Sequence, residues 1–165
     1  MWFELRREDL SFLARAPVVH VCDAEVAAPR PDVFAAISDP CTWTSWFPGV
    51  RSASYPSPPP YGIGTIREAH VGATRWVEEL IAWDANTRWA YTITRSSVPI
   101  ARAQIESFEL CDASGGTRVR WTLACEPRLL MRLGAPIAPR MIRSVFERAM
   151  VNLGGYLGSG PSPAG

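Results

Sequence analysis

The stretch "PRMIRSVFERAMVNLGGYL" (139–157) carries the longest helical pattern in this chain of 165 residues. Its apolar residues recur every three or four positions, which predicts a helix near residues 137–157 with one buried face. The opposite side is charged and carries Arg140, Arg143, Glu147 and Arg148. A helix with one apolar stripe must be covered by another layer of structure, which the preceding sequence has to supply. The apolar positions are Met141, Ile142, Val145, Phe146, Ala149, Met150, Leu153, Tyr156 and Leu157.

Extended segments before this helix predict that the second layer is an antiparallel sheet. "VVHVCDAEV" (18–26) predicts a first strand, and a short strand beside the proline-rich loop 52–64 is compatible with the pattern. The expected fold is therefore α+β, with a curved antiparallel sheet of about six to seven strands wrapped around the long C-terminal helix. Short connections such as "GA" and "DANT" join the remaining segments as hairpins. These segments are "TIREAHV" (65–71), "TRWVEELIAW" (74–83), "RWAYTITR" (88–95), "ARAQIESFEL" (101–110) and "TRVRWTLAC" (117–125).

Two short helices are predicted after the first strand. "PDVFAAIS" (31–38) begins with Pro31, which suits the first position of a helix. Asp39 can cap a second helix over residues 40–47. Both helices are expected to close the open end of the curved sheet.

The chain is expected to form a single domain over residues 1–165, with its core over 18–157. The end of the chain, residues 158–165, is rich in Gly, Pro and Ser and predicts a disordered tail. Residues 1–16 predict a short amphipathic extension. Its apolar side consists of Leu5, Leu10, Phe12 and Leu13.

The order of these elements resembles the START-like helix-grip (SRPBCC) superfamily, and within it the polyketide cyclase/dehydrase and lipid-transport branch. The resemblance covers residues 18–157 and rests on "AAPRPDVFAAISDPCTWTSWFPGV" (27–50), "WDANTRWAY" (83–91), "GGTRVRWTL" (115–123) and the final helix. It implies a deep apolar cavity between the sheet and the long helix. Because members include carriers, sensors, cyclases, hydrolases and chaperone cofactors, the resemblance specifies the fold better than the activity.

Hairpin register predicts which side chains of the sheet face inward. Alternate residues on a strand share a face, so each hairpin loop fixes the pairing of the strands it joins. The predicted pairs are Arg67 with Glu78, Trp83 with Arg88, Leu80 with Tyr91, Glu78 with Ile93, Leu110 with Val119, Phe108 with Trp121 and Glu106 with Leu123. The face richer in apolar residues is expected to be the interior, with Thr65, Arg67, Trp76, Glu78, Leu80, Trp89, Tyr91, Ile93, Gln104, Glu106, Phe108, Val119, Trp121 and Leu123. The outer face is expected to carry Arg75, Glu79, Thr92, Thr94, Arg102, Glu109, Arg118 and Arg120.

Five polar residues of the predicted interior form what we call the polar belt: Arg67, Glu78, Tyr91, Gln104 and Glu106. Burying an unpaired charge is costly, so these groups require partners, water or a ligand. Arg67 with Glu78 and Tyr91 with Glu106 can be purely structural pairs. Alternatively, the belt orients the polar head of a ligand or acts on it as general acid and base. In the catalytic case Glu106, with only a phenol as partner, is expected to feel desolvation more strongly and to carry the proton.

Aromatic residues supply most of the candidate ligand-binding surface. Trp43, Trp46 and Phe47 lie at positions i, i+3 and i+4, so they are expected to share one helix face, either as plain core or as a cavity wall. A pocket of several hundred Å³ is expected between helix 40–47, Met141, Phe146 and the aromatic face of the sheet. The candidate ligand-binding residues are Trp43, Trp46, Phe47, Trp76, Trp89, Tyr91, Ile93, Gln104, Phe108, Trp121, Met141 and Phe146.

Three classes of function are compatible with this pattern. The first is a carrier that binds an apolar or aromatic small molecule, such as a lipid, a fatty acid or a polyketide-like ring system. The second is a cyclase- or dehydratase-like enzyme without a cofactor, with Glu106 or Glu78 as proton acceptor and Tyr91 or Arg67 stabilising an enolate oxygen. The third is a docking module whose arginine-bearing outer face contacts another protein.

Composition narrows the choice of partners and compartment. A formal net charge of +1 gives no bulk attraction to nucleic acid. The four cysteines lack metal-like spacing, and His20 and His70 have no ligand-spaced partner, so no metal site is expected. Reduced thiols fit a cytoplasmic protein, and no apolar run reaches membrane-spanning length. A monomer or homodimer without stable membrane insertion is expected.

Overall fold

Antiparallel strands make up most of the structure, a computed structural model that describes residues 1–128 and 138–159. Seven strands follow one another across a curled sheet in the order β2-β8-β7-β6-β5-β4-β3, and β1 pairs with β6. The sheet forms a half-barrel around a C-terminal helix, which confirms the predicted α+β architecture. The strands are β1 (Phe3–Glu4), β2 (Val18–Val26), β3 (Val50–Ser54), β4 (Ile66–Val71), β5 (Thr74–Asp84), β6 (Arg88–Ser96), β7 (Ala101–Ala113) and β8 (Gly116–Pro127).

Four α-helices accompany the sheet in the described residues: α1 (Phe12–Arg15), α2 (Arg30–Ser38), α3 (Trp43–Trp46) and α4 (Ala138–Gly158). The second predicted short helix is split, because residues Pro40–Thr42 form a 3-10 turn and α3 is a single turn. Asp39 caps this turn as expected, since its carboxylate accepts a hydrogen bond from the backbone N–H of Cys41 at 2.9 Å. No helix in residues 1–128 and 138–159 combines the length and apolarity needed to cross a membrane.

Helix α4 covers the sheet face that carries Trp121, as predicted. The Phe146 ring stacks on Trp121, and the side chain of Asn152 donates to the backbone oxygen of Trp46 at 3.1 Å. Position 137 of the predicted helix lies outside the described residues. Of the predicted tail 158–165, Gly158 is instead the last residue of α4, and residues 160–165 also lie outside the described part. The buried stripe of α4 consists of Phe146, Ala149, Met150 and Leu153.

The observed register confirms six of the seven predicted pairs and corrects one. Trp83 lies opposite Trp89 instead of Arg88, and Asp84 takes the place opposite Arg88. A bulge between Leu80 and Ala82 inserts one residue, so the loop end of this hairpin is shifted by one position. The predicted register holds from Glu78 to Leu80, and a second irregularity between Val77 and Glu78 shifts the pairing again. The confirmed pairs are Arg67 with Glu78, Leu80 with Tyr91, Glu78 with Ile93, Leu110 with Val119, Phe108 with Trp121 and Glu106 with Leu123.

The N-terminal extension fills a gap in the sheet. Pairing between β6 and β7 runs only as far as Thr92 opposite Ile105. Residues 3–6, which we call the N-terminal wedge, enter between the diverging strands. The N–H of Leu5 donates to the backbone oxygen of Thr94 at 2.9 Å, and the next N–H donates to that of Arg102 at 2.8 Å.

The apolar residues of this extension do not share one side, contrary to the prediction. The Leu5 side chain belongs to the core between the sheet and α4. Phe12 instead packs on the outer face against Ala103, Ile105 and Ala124. The cause is the gap between β6 and β7, through which the wedge reaches the interior while α1 remains outside.

Candidate functional site

The polar belt lies inside the half-barrel on four adjacent strands, β4 to β7. Arg67, Glu78 and Tyr91 are at most 3% exposed, and Glu106 is 9% exposed. Antiparallel pairing places Arg67 directly opposite Glu78, and Tyr91 directly opposite Glu106. Both predicted contacts are therefore present and shielded from bulk water.

Arg67 is bound on one side only. Its Nη1 donates to Oε2 of Glu78 at 2.7 Å. Its guanidinium lies over the Trp43 ring, with 4.0 Å from the central carbon to the ring centroid, and also near Trp89 and Tyr91. The aromatic faces stabilise the positive charge, but Nε and Nη2 are buried and have no hydrogen-bond partner within the described residues. The belt thus contains an unused pair of donors.

Glu106 has three donors, so the prediction that a phenol is its only partner is wrong. Tyr91 donates to Oε2 at 2.7 Å, and Nε1 of Trp121 donates to the same oxygen at 3.0 Å. The amide of Gln104 donates to Oε1 at 3.0 Å. Burial raises the pKa of Glu106, and these donors oppose that shift because they favour the charged form. The register of β7 and β8 pairs Glu106 with Leu123, whereas Trp121 lies diagonally across from Glu106. For this reason the sequence did not predict the contact between Trp121 and Glu106.

Glu78 is the carboxyl with the weaker hydrogen-bond support. Among the described residues, Arg67 is the side chain that donates to it. Burial raises the pKa of Glu78 to about 7, because desolvation and the nearby Glu106 charge outweigh the attraction of Arg67. This carboxyl exchanges its proton near neutral pH, so Glu78 replaces Glu106 as the better candidate proton carrier.

Aromatic rings fill the space in which a pocket was predicted. Trp43 contacts Trp46 and Phe47, with ring centroids 4.7 and 5.1 Å apart. Phe47 and Trp121 form a T-shaped contact, and Phe146 stacks on Trp121. Within the described residues, these side chains pack against one another where the prediction had them surround a cavity.

Two clefts formed by described residues lie elsewhere. One, of about 640 Å³, is lined mainly by charged residues of the outer sheet face, among them Arg88, Glu109 and Arg120. The other, of about 370 Å³, lies beside the N-terminal wedge and includes Leu5 and Arg95. Neither has the apolar interior lining that was predicted for the ligand.

The other candidate residues divide into core, margin and surface. Ile93, Phe108 and Trp89 are at most 2% exposed, whereas Trp76 is half-buried at the margin of the core. Met141 is wrongly assigned to the pocket wall, because it is 60% exposed. Each helical residue is rotated by about 100° from the last, so the inward position belongs to its neighbour Ile142.

Tyr55 is a site residue that the sequence did not reveal. It follows β3 and donates from its hydroxyl to the backbone oxygen of Ser38 at 2.6 Å. Burial raises its pKa, and the positive charge of Arg67 opposes that shift, which places the phenol beside the belt. Tyr55 lies among the turn-forming residues 52–64, which predict an exposed loop. The sequence pattern therefore gives no indication that its side chain is partly buried.

Comparison with known proteins gives consistent matches. The profile of a family described as "Polyketide cyclase / dehydrase and lipid transport" matches residues 20–158. An uncharacterised protein of Mycobacterium tuberculosis is 29% identical over 152 residues, which cover 92% of this chain and 86% of the relative.

Solved structures share the fold. A START superfamily protein from Mycobacterium smegmatis superposes with a TM-score of 0.70 and 14% identity, over 86% of this chain and 97% of that one. DynU16, a protein of the dynemicin biosynthetic locus, superposes with a TM-score of 0.65 and 18% identity, over 86% of this chain and 48% of that one. At these identities the likeness establishes the fold alone.

Proposed function

This chain belongs to the polyketide cyclase/dehydrase and lipid-transport family, whose members bind hydrophobic ligands, and we propose that it binds an apolar or aromatic small molecule between the sheet and α4. Lipids, fatty acids and polyketide-like rings are the candidate classes. The observation that carries the proposal is Arg67, a buried arginine with two unused donors inside an aromatic cage. Leaving a buried donor unpaired costs about 1–3 kcal/mol, which a polar atom of a ligand would offset.

Ligand entry in this proposal requires the α3 aromatics to move. Trp43 and Phe47 belong to a single helical turn and its end, so their movement would break the hydrogen bond from the Trp43 indole to the backbone oxygen of Ile37 and leave the longer helices in place. The closed packing is then the ligand-free state, and a ligand selects an open state in which its own apolar surface replaces these rings.

Binding of N-phenyl-1-naphthylamine, an uncharged apolar fluorophore, tests this proposal. Saturable binding with enhanced probe emission and quenched tryptophan emission is expected. Native mass spectrometry of the protein as purified from cells should show a co-purified small molecule. A protein that binds neither the probe nor any cellular lipid or aromatic compound would contradict the proposal.

Acid–base catalysis is the second candidate, and the observation that favours it is the Glu78 carboxyl with its pKa near 7 beside Arg67. Glu78 would accept a proton next to a carbonyl group while Arg67 stabilises the enolate oxygen, and neither step needs a cofactor. In this case Glu78→Gln should abolish turnover of a poly-β-ketone substrate and leave its binding unchanged.

The docking-module interpretation has less support, because several arginines of the outer face already have acidic partners within the chain. Arg120 pairs with Asp23 at 2.9 Å, and Arg88 pairs with Glu109 at 2.7 Å. We therefore propose a cytoplasmic monomer or homodimer whose partner is a small molecule, without nucleic acid or stable membrane insertion.

A further inference from the structure

We propose that the ligand carries a carboxylate, that this group binds the free edge of Arg67, and that Glu78 takes up a proton as it binds. The inference rests on the proposed function and identifies the class of ligand, an apolar carboxylic acid. It is drawn from the two unused donors of Arg67 and from the number of charges in the belt.

The unused donors of Arg67 have the geometry of a carboxylate site. Nε and Nη2 form the lateral edge of a guanidinium group and point the same way, so they can donate to both oxygens of one carboxylate. Nη1, which binds Glu78, lies outside this edge. A ligand carboxylate can therefore bind Arg67 without displacing Glu78 from its position.

The charges in the belt require a proton to accompany the ligand. The belt already contains two carboxyls, Glu78 and Glu106, and one arginine. Tyr91 and Tyr55 add no charge to the belt, because burial raises the pKa of both phenols and keeps them neutral. A third carboxylate in this dry site is stable only if one carboxyl becomes neutral.

Glu78, and not Glu106, is the carboxyl that takes up this proton. Both oxygens of Glu106 accept hydrogen bonds, from Tyr91, Trp121 and Gln104, and a proton there would oppose one of these donors. Glu78 uses only Oε2 toward Arg67 within the described residues, and its pKa near 7 makes proton uptake easy at neutral pH. In the bound state Arg67 then exchanges Glu78 for the ligand as its anionic partner.

A matched pair of fluorescent probes tests the inference, namely 6-(dimethylamino)-2-naphthoate and its uncharged carboxamide. Because Glu78 must be protonated in the complex, the affinity for the carboxylate should fall about a hundredfold from pH 6 to pH 9, while that for the carboxamide stays constant. Glu78→Gln supplies a neutral side chain of the same shape. It should abolish this pH dependence and tighten carboxylate binding about a hundredfold at pH 9.

Glu79→Gln is the matched control, because Glu79 is the next residue on β5 and pairs with Arg7 at 3.0 Å outside the belt. It should bind both probes as the wild type does. Arg67→Lys keeps the positive charge but lacks the lateral edge of the guanidinium group. Its affinity for the carboxylate probe should therefore fall at least tenfold, while its affinity for the carboxamide stays unchanged. Circular dichroism should confirm that each variant is folded.

The two hypotheses fail in different ways. If the carboxamide binds and the affinity for the carboxylate does not change with pH, the carboxylic-acid inference is overturned and the proposed function still stands. The carboxylic-acid inference is likewise overturned if Glu79→Gln and Glu78→Gln show the same dependence of carboxylate affinity on pH. Failure of the wild type to bind either of these probes, N-phenyl-1-naphthylamine or any cellular lipid or aromatic compound would overturn both hypotheses.

Discussion

The Phe146 ring of α4 stacks on the Trp121 ring of β8, with centroids 5.4 Å apart and planes inclined by 22°. Trp121 also donates from Nε1 to Glu106 at 3.0 Å. One indole thus contacts both the helix that covers the sheet and the polar belt beneath it. Helix packing and belt geometry are therefore expected to change together.

Phe146→Ala should lower the free energy of unfolding by about 3–5 kcal/mol, because it removes a fully buried ring from the contact between α4 and the sheet. Urea denaturation followed by tryptophan fluorescence measures this loss. Met141→Ala, on the exposed side of the same helix, should stay within about 0.5 kcal/mol of the wild type. Equal losses in the two variants would show that α4 does not pack through Phe146.

Trp43→Ala should lower stability and at the same time tighten the binding of N-phenyl-1-naphthylamine. The Trp43 ring occupies space that the ligand is proposed to enter, so its removal costs packing energy, about 3–5 kcal/mol, and leaves room beside Arg67. The ligand then no longer has to select a rare open state. Fluorescence titration gives the affinity and urea denaturation the stability.

Trp2→Ala is the control for this variant, because Trp2 is 44% exposed and distant in sequence from α3. Trp2→Ala should change neither the affinity for N-phenyl-1-naphthylamine nor the free energy of unfolding. Weaker probe binding in Trp43→Ala would mean that the indole is part of the ligand contact surface and not a group that the ligand displaces.

Stability should fall between pH 4 and pH 8 because of Glu78. Its pKa is raised from an ordinary 4.5 to about 7 on folding, so the folded state binds the proton more tightly than the unfolded chain. This contribution is complete below pH 4.5 and is lost as the pH rises through 7, with a total of about 3 kcal/mol. Glu78→Gln should remove that loss from the curve of unfolding free energy against pH, and Glu79→Gln should retain it.

Leu5→Ala should destabilise the protein by about 2–5 kcal/mol although it lies near the chain terminus, because the Leu5 side chain is part of the interior core. Hydrogen exchange should show protected amides at Leu5 and Arg6, whose N–H groups donate to β6 and β7. Ile63→Ala, at a site 73% exposed, is the control and should be nearly neutral. Rapid exchange at both amides would contradict the placement of the wedge.

Most of the sheet interior could be predicted from the sequence, because side-chain alternation and short loops together determine register. Alternation and loop length correctly predict Arg67 opposite Glu78 and Phe108 opposite Trp121. The predicted register is wrong next to the loop after β5, where a bulge near Ile81 shifts Trp83 by one place. No glycine or proline marks that bulge in the sequence, so local pattern alone does not reveal it.

The state of the candidate site was harder to predict for a different reason. Trp43 and Phe47 could either line a cavity or fill it. The outcome depends on their rotamers and on the distance between α3 and α4, and the periodicity of the sequence encodes neither. Likewise, the third donor to Glu106 comes from Trp121 across a diagonal, and diagonal contacts depend on sheet twist. The family resemblance correctly implied the fold but did not determine how tightly the interior is packed.

The N-terminal wedge precedes the family-matched span, residues 20–158, and donates backbone hydrogen bonds to two strands inside that span. Without residues 3–6, the backbone oxygens of Thr94 and Arg102 would face an unfilled slot between two strands, with the place of Leu5 left open. A strand from a second copy is an equivalent filler for such a slot, because the same sequence makes the same hydrogen bonds. Residues 3–6 therefore close two strand edges that would otherwise be open to pairing with a strand of another chain.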